Sequence, residues 1–151
     1  MNKLILIILQ FLGFCKKENK DEYVNYDFYE VKQFDYELLV LVNAWRIQNN
    51  LNKLVLDQFT CNVSYSHSLY MAENKKASHD YFYKREKAFN GKMLYEAVGY
   101  NYSSAKAIFD AFKKSPGHNA VMLSDSDLIG ISNCFDDLGV MYVTINCVKN
   151  V

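Results

Sequence analysis

The chain has 151 residues, half of them apolar, with 12 Tyr and 10 Phe. That is enough to bury one compact core and suits a single domain with a short tail. Seventeen basic residues balance seventeen acidic ones, with no basic stripe, which argues against a nucleic-acid partner.

The chain opens with MNKLILIILQFLGFC: one early lysine, an apolar run from Leu4 to Phe14, then Cys15. A helix of that length spans about 16 Å, half of a bilayer's apolar thickness, so the run is too short for a membrane span. It has the n-region and h-region of an export signal. The shift to charge in CKKENKDEYVN resembles the start of a bacterial lipoprotein, with Cys15 as the lipidated residue. Leu12 agrees with that pattern, and Phe14 departs from it where a small residue is usual. Residues 1–15 are therefore expected to be a signal peptide of lipoprotein type. The protein is then exported, and either secreted or held at the cell envelope, touching the membrane only through its N-terminal anchor. An apolar segment docked on the domain is the other reading. Residues 16–34 are expected to form a polar tether or lead-in, and 35–151 the domain.

The segment YELLVLVNAWRIQNN predicts a helix, with Leu38, Leu41, Val42, Trp45 and Ile47 near one face and Asn49-Asn50 as its end. LNKLVLD follows as an extended segment. VSYSHSLYMAENKKASH predicts a second helix, with Val63, Tyr70 and Met71 among its apolar positions and His79 at its end. YFYKREKAFNGKM is irregular, and LYEAVGYN a short strand. SSAKAIFDAFKK predicts a third helix, capped by Ser103 or Ser104, with Ile108, Ala111 and Phe112 on a shared face. The chain's one proline lies just beyond, in SPGHNAVML, where Pro116-Gly117 is expected to stop the helix and turn His118 inward. LIGISNCF, DDLG and VMYVTINCV form a hairpin. With Phe135 facing Val140, Cys134 faces Met141 and Cys147 faces Leu128. The two cysteines then lie about 20 Å apart along the ribbon, far beyond the 4.4–6.8 Å Cα separation of a disulfide. Cys61 paired with one of them stays open, and three free thiols is the default expectation. The order of elements predicts an α+β chain, either a three-layer α-β-α sandwich around a central antiparallel sheet or a two-layer fold.

Generic catalytic signatures are missing: the chain has no G-x-S-x-G, H-E-x-x-H, P-loop or G-x-G-x-x-G. It does have three histidines, His67, His79 and His118, and Glu96 in the expected strand. His79, Glu96 and His118 converging in a cleft would supply two imidazoles and a carboxylate. Such a set holds Zn²⁺ or a similar divalent cation weakly, or does acid–base work. No activated nucleophile is evident, since Pro-Gly separates Ser115 from His118. The plainer readings are a helix-end histidine for His79, a surface charge for Glu96 and a structural, hydrogen-bonded histidine for His67.

Several segments, in order, resemble the CAP superfamily, the SCP-like group of cysteine-rich secretory proteins, antigen 5 and pathogenesis-related proteins. LVNAWRIQNNLNKLVLD resembles its opening helix, and YSHSLYMAENKKASHDYF its second helix with a Ser-His. YEAVGYNYSSAKAIFDAFKKSPGHNAVML resembles the block from a Glu-Asn pair to Ser-Pro-Gly-His. DLIGIS and the last strand resemble the closing hairpin. The resemblance implies an α-β-α sandwich with a cleft of histidines and carboxylates. His79 falls on the Ser-His histidine and Glu96 on the Glu of the Glu-Asn pair. Ala97 replaces the Asn, Phe112 stands where the family has a tryptophan, and Ser115 where animal and plant members have a second glutamate. Their last cleft histidine has no counterpart, and His118 follows the bacterial pattern. The function implied is binding of a small apolar or lipid-like ligand, a peptide or an envelope component by a monomer. A metal-assisted hydrolase using the same cleft, or a surface domain with a vestigial one, is the alternative.

Overall fold

The computed structural model describes residues 26–150. The apolar segment, Cys15 and the first part of the expected tether lie outside the described residues.

Helix α1, Gln33–Gln48, buries Asp35, Leu38, Val42 and Arg46 along one stripe. Ile47, expected on that face, is exposed. Arg46 takes the inward place and acts as a clamp. Its Nε donates to the Asn52 carbonyl at 2.8 Å, and its Nη1 to those of Met122 and Ser124 at 2.9 and 2.8 Å. The extended segment contains a two-residue strand, β1, Val55–Leu56. Helix α2, Gln58–Asn74, starts five residues before the expected Val63, because Asp57 caps it by accepting from the Thr60 N–H. It also ends earlier, at Lys75 in the left-handed conformation, so His79 is a loop residue and not a helix end.

The stretch expected to be irregular holds a short helix, α3, Phe82–Lys87. Strand β2, Leu94–Tyr100, and helix α4, Ala105–Lys114, fall where expected, with Ser104 as the cap of α4. Ser115 then closes α4 and opens α5, Pro116–Met122. Proline suits the first position of a helix, where its missing N–H has no partner to lose. The Pro-Gly pair therefore starts a helix instead of turning the chain into a loop.

Strands β3, Leu128–Phe135, and β4, Met141–Val148, form the hairpin one residue out of the expected register. Cys134 faces Tyr142, and Cys147 faces Ile129. The turn is longer than DDLG because Val140 belongs to it. Asp136 Oδ1 accepts from the N–H groups of Leu138 and Val140, both at 2.9 Å, and Gly139 takes φ +78°. In this register Cys134 and Cys147 point to opposite faces of the ribbon. Cys61, Cys134 and Cys147 are free and buried. Burial pushes the Cys61 and Cys147 thiols up to about 11 and about 12, so both stay protonated and inert.

The sheet order is β1-β3-β4-β2, antiparallel except for the short parallel β1 at one edge. Ile129, Ile131, Val143 and Ile145 form one core with Leu38 and Val42 of α1, Ile108 and Phe112 of α4, and Met122 of α5. Helix α2 covers the opposite face of β3 and β4, completing three layers. That second interface has apolar clusters around Val63 and Met71 and a polar centre. Ser68 Oγ donates to Thr144 Oγ1 at 2.8 Å, and Asn146 Nδ2 donates to Ser64 Oγ at 3.0 Å. The end of the expected tether is also packed. Tyr29 is buried, stacks on Tyr65 with centroids 5.0 Å apart, and donates its hydroxyl to Asp35 Oδ2 at 2.6 Å.

Gly130 fixes the distance between α2 and the sheet. A Cβ there would lie 2.2 Å from the Thr60 carbonyl carbon and 2.5 Å from the Cys61 nitrogen, both backbone. Gly130→Ala is expected to cost roughly 3 kcal/mol, the upper end of the overpacking range, because neither backbone can yield cheaply. Urea unfolding of the two proteins measures it.

Candidate functional site

Strand periodicity sorts β2 into two faces. Ala97 and Gly99 meet the α1/α4 core, whereas Glu96 points to the α2 side. The Glu96 carboxylate is only 1% exposed. Arg85 of α3 donates to it twice, Nε to Oε2 at 2.6 Å and Nη2 to Oε1 at 2.7 Å. The third Arg85 nitrogen, Nη1, donates to the Asp80 carbonyl at 2.8 Å. His79 approaches from the loop after α2, its Nδ1 3.0 Å from Glu96 Oε1. A carboxylate only accepts, so Nδ1 carries a proton, and in the neutral ring Nε2 is then the free acceptor. The His79 side chain is 56% exposed, so this pair presents an oriented imidazole to solvent.

His67 is the fourth member. It is 2% exposed, and its Nε2 lies 3.8 Å from Glu96 Oε1. The same Nε2 donates to the Ser78 carbonyl at 2.6 Å, which ties the loop carrying His79 to α2. Burial pushes the His67 ring below its ordinary range, and the Arg85 charge adds to that against the pull of Glu96. Burial alone would raise the Glu96 carboxyl. The hydrogen bonds from His79 and Arg85 more than offset it, and the group stays below the usual carboxylate range.

The structure joins His79 to Glu96 and leaves His118 out. His118 stacks on Phe112, with centroids 4.2 Å apart and planes 16° from parallel. Its Nε2 donates to the Val98 carbonyl at 3.1 Å, and its Nδ1 accepts from Ser115 Oγ at 2.7 Å. Both ring nitrogens are committed. The expected metal set of His79, Glu96 and His118 is therefore not assembled: Glu96 spends both oxygens on Arg85 and His79, and His118 has no nitrogen to give. Among the described residues, no group of three His, Cys, Asp or Glu side chains is placed to hold a metal ion. Sequence reasoning missed Arg85, which sits among lysines and glutamate in KREK and looks like a solvated charge. His67, expected to be a structural, hydrogen-bonded histidine, is buried and bonds the Ser78 carbonyl, and it also lies beside Glu96.

Comparison with known proteins assigns the chain to one family. Residues 39–146 match the family model for CAP, the cysteine-rich secretory protein family, and the chain belongs to that family. The chain is 31% identical over 103 residues to YlbC, an uncharacterized membrane protein of Bacillus subtilis. That match takes in 63% of this chain and 30% of YlbC, so the chain spans about a third of that relative's length. Among solved structures, an outer surface protein of Borrelia burgdorferi superposes with TM-score 0.73 at 18% identity, over 84% of this chain and all of that one. An extracellular SCP-domain protein of Bacillus anthracis gives TM-score 0.67 at 24% identity, over 76% of this chain and 40% of that one. These likenesses establish the fold. Among the described residues, no helix is long and apolar enough to cross a membrane.

The cluster can be tested at its cation and by acid. Arg85→Ala leaves the buried Glu96 charge without its main partner and is expected to cost roughly 3–5 kcal/mol, read by denaturant unfolding. Acid should destabilise the fold in two stages. His67 has a lowered folded pKa, so its contribution is full above the unfolded value of about 6.5 and is lost as pH falls below it. Glu96 also has a lowered pKa, so its contribution is full above about 4.3 and is lost on further acidification. His67→Gln should remove the upper stage alone in unfolding curves measured from pH 8 to pH 2.

Proposed function

We propose that the protein is an exported CAP domain, anchored at the envelope through Cys15, that acts as a monomer by binding and not by catalysis. Its ligand is a small apolar molecule, peptide or envelope component held at the His79 face. One observation carries the reading: Glu96 is committed to orienting His79, through one hydrogen bond to the ring and two from Arg85. A carboxylate so held is a poor proton shuttle and a poor metal ligand. It still fixes an imidazole that offers one bare nitrogen to a donor. The Ser115 hydroxyl is bonded to His118, whose second nitrogen is bonded to the Val98 carbonyl. Its similarity to outer-surface, extracellular and membrane proteins supports export.

The test pairs two assays on wild type and His79→Ala. Turnover of a fluorogenic peptide mixture, with and without added Zn²⁺, should match the His79→Ala baseline. Calorimetry against palmitate and a short peptide should give binding that His79→Ala weakens. Zn²⁺-dependent hydrolysis lost in His79→Ala would replace this reading with the hydrolase.

A further inference from the structure

We propose that the concavity between α2, α3 and the lead-in is a binding site for a sugar ring, separate from the His79 face. It has a volume of about 320 Å³ and does not include His79 in its lining. Ligand pockets commonly run from about 300 to 1,000 Å³, so this one suits one or two rings and not a long chain.

Its walls are tyrosines. Tyr65 of α2 is backed by Tyr29 of the lead-in, and Tyr26 also lines the pocket. Tyr81 meets Tyr70 edge-on, with centroids 5.5 Å apart and planes at 82°. Tyr81 takes φ +59°, a strained conformation for a bulky side chain, and is 51% exposed. That conformation starts α3 and leaves the Tyr81 ring among the residues that line the pocket.

The floor is His67. Its Nε2 donates to Ser78, which leaves Nδ1 as a bare acceptor with no hydrogen-bond partner among the described residues. The ring is 2% exposed, stacks on Tyr70 with centroids 5.9 Å apart, and is among the residues that line the pocket. At the rim, the side chains of Lys84 and Asp27 form no ion pair or hydrogen bond among the described residues; Lys84 Nζ lies 5.1 Å over the Tyr81 ring.

These groups set the ligand's chemistry. Tyrosine faces ask for a flat apolar surface. Nδ1 of His67 and the Asp27 carboxylate ask for donors, and Lys84 for an acceptor. A pyranose supplies all of them, with an apolar C–H face and hydroxyls that both donate and accept. An alkyl chain or a sterol body would satisfy the tyrosines and strip water from three polar groups without pairing them.

The test uses the full chain with ¹⁵N-labelled histidine, titrated with N,N′-diacetylchitobiose. The His67 Nδ1 resonance should move from the bare-acceptor position toward the hydrogen-bonded one. Tyr81→Ala and Lys84→Ala should each weaken binding about tenfold, in line with the loss of one aromatic or charged contact. Tyr83→Ala, outside the pocket, and His79→Ala should leave it unchanged, which separates this site from the His79 face. An unmoved His67 resonance at the highest soluble sugar concentration would overturn the proposal. So would binding that survives both pocket substitutions, or a pocket that takes palmitate and not sugar.

Discussion

The rest of the molecule depends on the backbone contact between α2 and β3 at Gly130. Because no side chain stands between helix and strand there, α2 lies close along the sheet. The middle of that interface holds Ser64, Ser68, Ser132 and Thr144, joined by hydrogen bonds, between apolar clusters around Val63 and Met71. The same closeness brings His67, one turn past Ser64, within 3.8 Å of Glu96 on the edge strand. The polar layer and the histidine–carboxylate cluster are thus consequences of a single missing Cβ.

The cluster is organised around an internal cation. Arg85 meets Glu96 in a bidentate, nearly sealed pair, a geometry that a guanidinium supports and an ammonium does not. The pair leaves one approach to the carboxylate, and His79 takes it. The chemistry of the site therefore resides in the outward nitrogen of His79, with Glu96 as its support. Loop 78–80 is held from beneath by His67 at the Ser78 carbonyl and by Arg85 at the Asp80 carbonyl, so the exposed ring stands on a fixed backbone.

Apolar spacing and capping made α1, α4 and the hairpin legible in the sequence, because each has a plain periodic pattern or a Ser cap. Helix α2 was legible in kind but not in extent. Its buried stripe includes Thr60, Ser64, His67 and Ser68, which carry no hydrophobic signal. The pairing of Glu96 with His79 could be anticipated from the family pattern. The placement of His118 could not, because it follows from stacking on Phe112 and from Ser115 serving two helices at once. Arg46 and Arg85 were invisible for one shared reason. A buried arginine looks like a solvated one until the carbonyls or carboxylate that receive it are known. The hairpin register slipped by one because Asp136 draws Val140 into the turn, a choice made by hydrogen bonds within the loop.

The clasp at the N-terminal side of the domain also governs the order in which the chain can fold. Tyr29 receives the Asn133 backbone N–H, Asp35 receives the Asn133 side-chain amide, and Lys32 reaches the Asn133 carbonyl, contacts that join residues about a hundred positions apart. Such long loops must close before the contact is made, and closure of this kind slows folding. During synthesis the lead-in and α1 emerge early, and their bonds to Asn133 wait until β3 has followed them. A chain crossing a membrane in that interval would travel with its first helix still unclasped, and would lock only once its last hairpin had arrived.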